Sequence, residues 1–139
     1  MPITYQLKHD AKLVIFTHLG AVSDDEFLSF YKSFYKDTPF EKSFNVLIDL
    51  RRTESASRSP SAIQESVDFM RRQFVNISAR PKVAVVAPGD LTFGLSRMYE
   101  AFSDTAPWKF EVFRSADAAL NWLGVAEDLM DKPDQSEKV

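Results

Sequence analysis

Asp49 ends the apolar run FNVLIDL, and a carboxylate at the carboxyl end of a strand lies where open α/β sheets receive ligands. General acid–base work needs a second titratable group in the same cleft. The two histidines do not supply one by spacing. His18 alternates with Val14 and Phe16 on a strand face, a core or rim position, and His9 stands beside a turn, in solvent. Asp49 then reads equally as a loop-capping carboxylate. A denser set of functional side chains lies in APGDLTFGLSRMYEAF. Wound at about 100° per residue, this stretch puts Leu91, Gly94, Leu95, Met98 and Phe102 on one stripe, the expected core face. Asp90, Phe93, Arg97, Glu100 and Asp104 fall on the other side, where Arg97 can stack on Phe93 and pair with Glu100. That face is expected to meet a ligand, a loop or another subunit. Upstream, Phe27, Leu28, Phe30, Tyr31, Phe34 and Tyr35 span about 160° of a helix, wider than one core stripe needs. Phe30 and Tyr35, at its margins, are candidates to line an apolar pocket.

Several kinds of chemistry are excluded by inventory. The chain has no cysteine, which removes disulfides, thiolate metal sites and a cysteine nucleophile. With four glycines it carries no G-x-G-x-x-G after a strand and no Walker loop, and FGLSRM lacks the spacing of a nucleophile elbow. No enzymatic activity, metal or cofactor is expected. Net charge is −3 with the basic residues scattered, which does not make a nucleic-acid footprint. No apolar run approaches the ~20 residues of a transmembrane helix, and MPITYQLKHDAK has no basic-then-apolar signal region, so a cytoplasmic location is expected.

The elements that position these residues follow from periodicity. A chain of 139 residues folds as one domain that buries about 68% of its extended surface. ITYQLKH alternates as an edge strand and turns through Asp10–Lys12 into LVIFTHL, giving a hairpin. Ser23 with Glu26 forms a capping box that opens the aromatic helix, which ends near DTP. The runs VLIDL, apolar but for Asp49, and VAVVA read as central strands covered on both faces. Between them lie a polar loop, RRTESASRS, and a helix opened by Ser59 and Pro60, with Ile63, Val67, Met70, Phe74 and Ile77 on its core stripe. Asp90 is the expected N-cap of the next helix, WKFEVF the second edge strand, and Ser115 and Gly124 the ends of a last short helix. The order β-β-α-β-α-β-α-β-α defines an α/β domain over residues 1–125. Its sheet is mixed, five-stranded and mostly parallel, with a hairpin-linked N-terminal edge strand. Residues 126–139, polar and acidic, are expected to fray.

The pattern A-P-x-D-x-x-F-G-x-x-R-M-Y-E, carried by Ala87, Pro88, Asp90, Phe93, Gly94, Arg97, Met98, Tyr99 and Glu100, resembles small uncharacterised bacterial proteins of the SpoIIAA-like or STAS type. With MPITYQL, VLIDLR and FEVFRSADAALNWLG, the likeness runs over about residues 2–125. It implies a β-α superhelix without known enzymatic activity, related to anti-sigma-factor antagonists and more distantly to CRAL-TRIO lipid carriers. In the antagonists a serine in a D-S-[ST]-G pattern after the third strand is phosphorylated by a partner kinase. Here DLRRTESASRSPSA has neither the Asp-Ser pair nor the glycine, and offers Ser55, Ser57, Ser59 and Ser61 near a helix N-terminus.

A superhelix with its helices mainly on one side leaves the other face of two central strands to be shielded. A partner subunit, most simply a second copy, makes the chain a regulatory or protein-interaction module. An apolar small molecule or lipid held against the aromatic residues makes it a carrier, with peripheral membrane contact limited by the thin basic rim of Lys32 and Lys36.

Overall fold

The computed structural model describes residues 2–55, 58–75, 77–78 and 80–130. Five strands, β1 (Ile3–Lys8), β2 (Leu13–Ala21), β3 (Asn45–Ser55), β4 (Lys82–Val86) and β5 (Lys109–Phe113), lie side by side in chain order. β1 and β2 form the antiparallel hairpin, and the other pairs are parallel. Helices α1 (Asp24–Asp37), α2 (Pro60–Gln73) and α3 (Asp90–Phe102) make the crossovers, and α4 (Ala116–Leu123) follows β5. The stop and start signals act as the sequence indicates. Ser23 and Glu26 cap α1 reciprocally, Ser59 accepts the Ala62 N–H with Pro60 in the first turn, and Gly124 takes the left-handed conformation after α4.

Because parallel strands advance one place at each crossover, α1, α2 and α3 cover the same face. Val14, Phe16 and Val46 meet Phe27, Tyr31, Phe34 and Tyr35 there. Phe16 is the hub of that contact, with edge-to-face rings of Tyr31 and Phe34 at 4.9 and 4.8 Å. The opposite face is not left for a partner, as the sequence reading has it. Leu13, Ile15, Leu47, Ala84 and Val86 are covered by Ala119, Leu120 and Leu123 of α4 and by Met130. α4, which follows β5, packs on this side. Beyond residue 125 a short 3-10 turn, Glu127–Leu129, precedes Met130, and Leu129 and Met130 pack against the sheet. Residues 131–139 lie outside the described residues.

Two further expectations change. RRTESASRS is not a loop over its first half: β3 runs on through Ser55, paired with β2 as a two-stranded ribbon beyond the end of β4. A bulge in that ribbon sets Leu19 opposite Arg52, where an even register from the Thr17 and Asp49 pair would bring Arg51. Gly20, at φ 64°, supplies the left-handed residue beside it. In α3 the N-cap is Gly89 and Asp90 is the first helical residue. Its buried side is also rotated from the expected stripe, with Leu91 67% and Met98 36% exposed while Ser96 is buried. Ser96 is the buried residue of α3, and Tyr99, stacked on Phe110 at 5.1 Å, carries the apolar contact.

This burial pattern predicts opposite outcomes for two leucines. Leu120→Ala should lose about 2–5 kcal/mol of unfolding free energy in urea, and Leu91→Ala less than about 0.5 kcal/mol. Equal losses would contradict the assigned faces.

Candidate functional site: a cavity between the sheet and three helices

The helical face does not close. Between β2, β3, β4 and β5 below and α1, α2 and α3 above is a cavity of about 120 Å³. Aromatic and aliphatic side chains make most of its wall, among them Phe16, Tyr35, Ile63, Val85 and Trp108. The side chains at its two ends differ. At the amino end of the parallel strands Tyr35, Phe74, Pro81 and Trp108 are buried. At the carboxyl end, the sheet edge where α/β folds receive ligands, the half-buried residues Leu50, Thr53, Arg58, Thr92 and Leu95 line the mouth.

Few polar groups reach the wall, and most are paired. His18 Nε2 and the Tyr31 hydroxyl are hydrogen-bonded at 2.8 Å, and the Ser66 and Tyr99 hydroxyls at 3.0 Å. Burial, reinforced by the Arg58 guanidinium and partly opposed by Asp49, lowers the His18 pKa to about 3, so the imidazole is neutral at pH 7. Burial likewise raises Tyr31 and Tyr35 well above the ordinary phenol range, and Tyr99 to about 12 despite the Ser66 hydrogen bond. Among the described residues Arg58 is the one charged residue of the wall. Its Nη1 donates to the Val22 carbonyl and the Asp24 carboxylate, both at 3.1 Å, and its guanidinium lies 4.4 Å from the Phe27 ring centre.

The residues singled out from sequence distribute over three places. Tyr35 lines the cavity. Phe30 does not. It packs edge-to-face on Phe16 and stacks along Phe34 at the flank of α1. Asp49 is buried on the α4 side of the sheet, holding Arg51 through Nε at 2.9 Å, Nη2 at 3.0 Å and the backbone N–H at 3.0 Å. Next to it Arg52 has buried Nε and Nη2 atoms without a hydrogen-bond partner, facing a space of about 20 Å³ that fits a single water. Asp90 and Phe93 are joined by a residue the sequence reading passed over. Arg114 pairs with Asp90 at 2.6 Å and lies 4.2 Å from the Phe93 ring centre, so Arg114 is the cation on Phe93 and Arg97 is not. Arg97 instead pairs with Glu100 at 2.9 Å. Position was the missing signal, because Arg114 follows the last residue of β5 and meets α3 only once β5 lies beside β4.

Of the serines near α2, Ser59 is engaged as its N-cap and Ser61 is exposed in its first turn. Ser55 ends β3, and Ser57 lies outside the described residues. No group of three histidine, aspartate or glutamate side chains among the described residues is placed to hold a metal ion, and no helix among them is long and apolar enough to cross a membrane.

The buried imidazole makes stability depend on pH. Unfolded, His18 takes up a proton near pH 6.5, but in the folded chain only near pH 3. Between these values the unfolded chain holds the extra proton, so stability falls as pH falls, by at most about 1.4 kcal/mol per pH unit. His18→Gln should flatten the slope of unfolding free energy between pH 6.5 and about 4.5, measured by urea denaturation. An unchanged slope would contradict a neutral, buried His18.

No family model matches the chain, and no curated protein matches it. Among solved structures it is similar to an uncharacterised protein of the DUF3478 family with a SpoIIAA-like fold from Shewanella loihica PV-4. The TM-score is 0.50 at 16% sequence identity, over 87% of this chain and 93% of that one. A likeness at this identity carries the fold alone. With its β1-β2-β3-β4-β5 sheet, three helices on one face and α4 on the other, the chain has a SpoIIAA-like α/β fold.

Proposed function

We propose that this SpoIIAA-like domain is a non-enzymatic cytoplasmic binding module that holds a small apolar molecule between its sheet and α1, α2 and α3. The observation that carries this reading is the cavity itself. Native cores leave few spaces larger than a water, and an apolar cavity of about 150 Å³ stays dry and takes up benzene. A space of about 120 Å³ with rings on its wall suits a single ring or a short branched chain, and is too small for a two-chain lipid. Binding without turnover fits the wall chemistry. Its histidine and tyrosines are neutral at pH 7, the His18–Tyr31 hydrogen bond occupies the imidazole that a general base would need free, and the Ser66 and Tyr99 hydroxyls are bonded to each other. α3 links the space to the surface, because it presents Leu95, Ser96 and Tyr99 to the cavity and Leu91 and Met98 to solvent.

Toluene titrated into the methyl-labelled protein should give saturable shifts at Ile63 and Val85 methyl groups by NMR, and Val85→Phe, which fills the space, should abolish them while the fold persists by circular dichroism. Absent shifts together with a concentration-dependent dimer in sedimentation would overturn this reading. They would favour instead a protein-interaction module that uses the Leu91, Gly94 and Met98 stripe.

A further inference from the structure

We propose that the molecule held in the cavity is a small monocarboxylic acid, its apolar body between the sheet and the helices and its carboxylate on Arg58 at the mouth. This rests on the cavity reading above and adds the chemistry of the head group. Three independent features lead to it.

The first is the distribution of charge on the wall. Among the described residues every other lining residue is uncharged in character or neutral at pH 7 and no carboxylate lines the cavity, so an anionic head group meets one cation there, with the Asp24 carboxylate on Nη1 of that cation as the nearest like charge. An ammonium head group would meet the reverse. The second is the state of the Arg58 guanidinium. Its side chain is only 12% exposed, and both of its hydrogen bonds leave from Nη1. Among the described residues nothing accepts from Nε or Nη2, the edge whose two parallel N–H bonds match a carboxylate. Arg51 shows this same edge in use within the chain, with Nε and Nη2 on the two oxygens of Asp49. The Phe27 ring and the Asp24 contact fix the Arg58 plane, so the fork is held in place before a ligand arrives.

The third is where the helices begin. α1 follows the carboxyl end of β2, α2 that of β3 and α3 that of β4, so the three helices have their amino ends on the mouth side of the sheet. Their partial positive charges favour an anion. Asp24 limits this field, but it is taken up by Arg58 Nη1 and the Ser59 N–H on the side away from the free fork. The ligand class follows from size and charge together: an aromatic or short branched acid with a single carboxylate and no second charge to bury.

The test compares benzoate with benzyl alcohol, which has the same ring and no charge, by calorimetry at pH 7, with Ile63 and Val85 methyl shifts reporting that the ring is in the cavity. Benzoate should bind about tenfold more tightly, and in Arg58→Met the ratio of the two affinities should fall to about one. If Arg58→Met does not fold, the wild-type ratio decides alone. Equal affinities for the two probes would overturn the carboxylate assignment and leave the cavity reading standing. Failure of both to shift the cavity methyls would overturn the cavity reading and this inference with it.

Discussion

Three helices must cover one face of a sheet with side chains of very unequal size, and the rest of the structure depends on how that mismatch is resolved. α1 brings Phe27, Tyr31, Phe34 and Tyr35 down onto Phe16, while α2 and α3 bring Ser66 and Ser96 to the same layer. Rings hold a helix away from a sheet, and serines add almost no volume beneath it. The difference is left as space, bounded by Val83 and Val85 below and by Met70 and Tyr99 at the side. Close packing elsewhere makes this space stand out, because the α4 side of the sheet is filled by Leu13, Leu47, Ala84 and Leu120, none more than 1% exposed.

The polar groups of the wall are arranged so that this space is tolerable. A buried imidazole and buried phenols are costly unless each finds a partner. His18 with Tyr31, and Tyr99 with Ser66, answer one another across neighbouring elements, which ties β2 to α1 and α2 to α3. Arg58 joins the amino ends of α1 and α2 through Val22 and Asp24. The bulge in the ribbon between β2 and β3 displaces the register that leads the chain to Arg58. Function and architecture meet at that residue: the side chain that closes the mouth also aligns the two helices whose amino ends flank it.

Much of the architecture was legible in local patterns, since each rests on contacts within one element. Ser23 and Glu26 are three residues apart and bond to each other, Gly124 takes the conformation that only glycine adopts easily, and VLIDL and VAVVA need both faces covered wherever they lie. The rotation of α3 was not legible, because a hydrophobicity ranking places Leu91 and Met98 inside ahead of Ser96 and Tyr99. Ser96 turns inward toward the cavity, and Tyr99 is half-buried with its hydroxyl satisfied by Ser66. Arg114 could not be paired with Phe93 before the sheet order was known. The cavity was hidden for the same reason. Tyr35 was picked out from the breadth of its helix face, but an unfilled volume belongs to no single helix.

Xenon pressed into crystals of the protein tests the central claim most directly, because it reports unfilled apolar space without reference to any head group or partner. The account predicts xenon density between Ile63, Met70 and Val85, and none beneath α4. An empty helical face, with α2 or α3 settled onto the sheet, would contradict it.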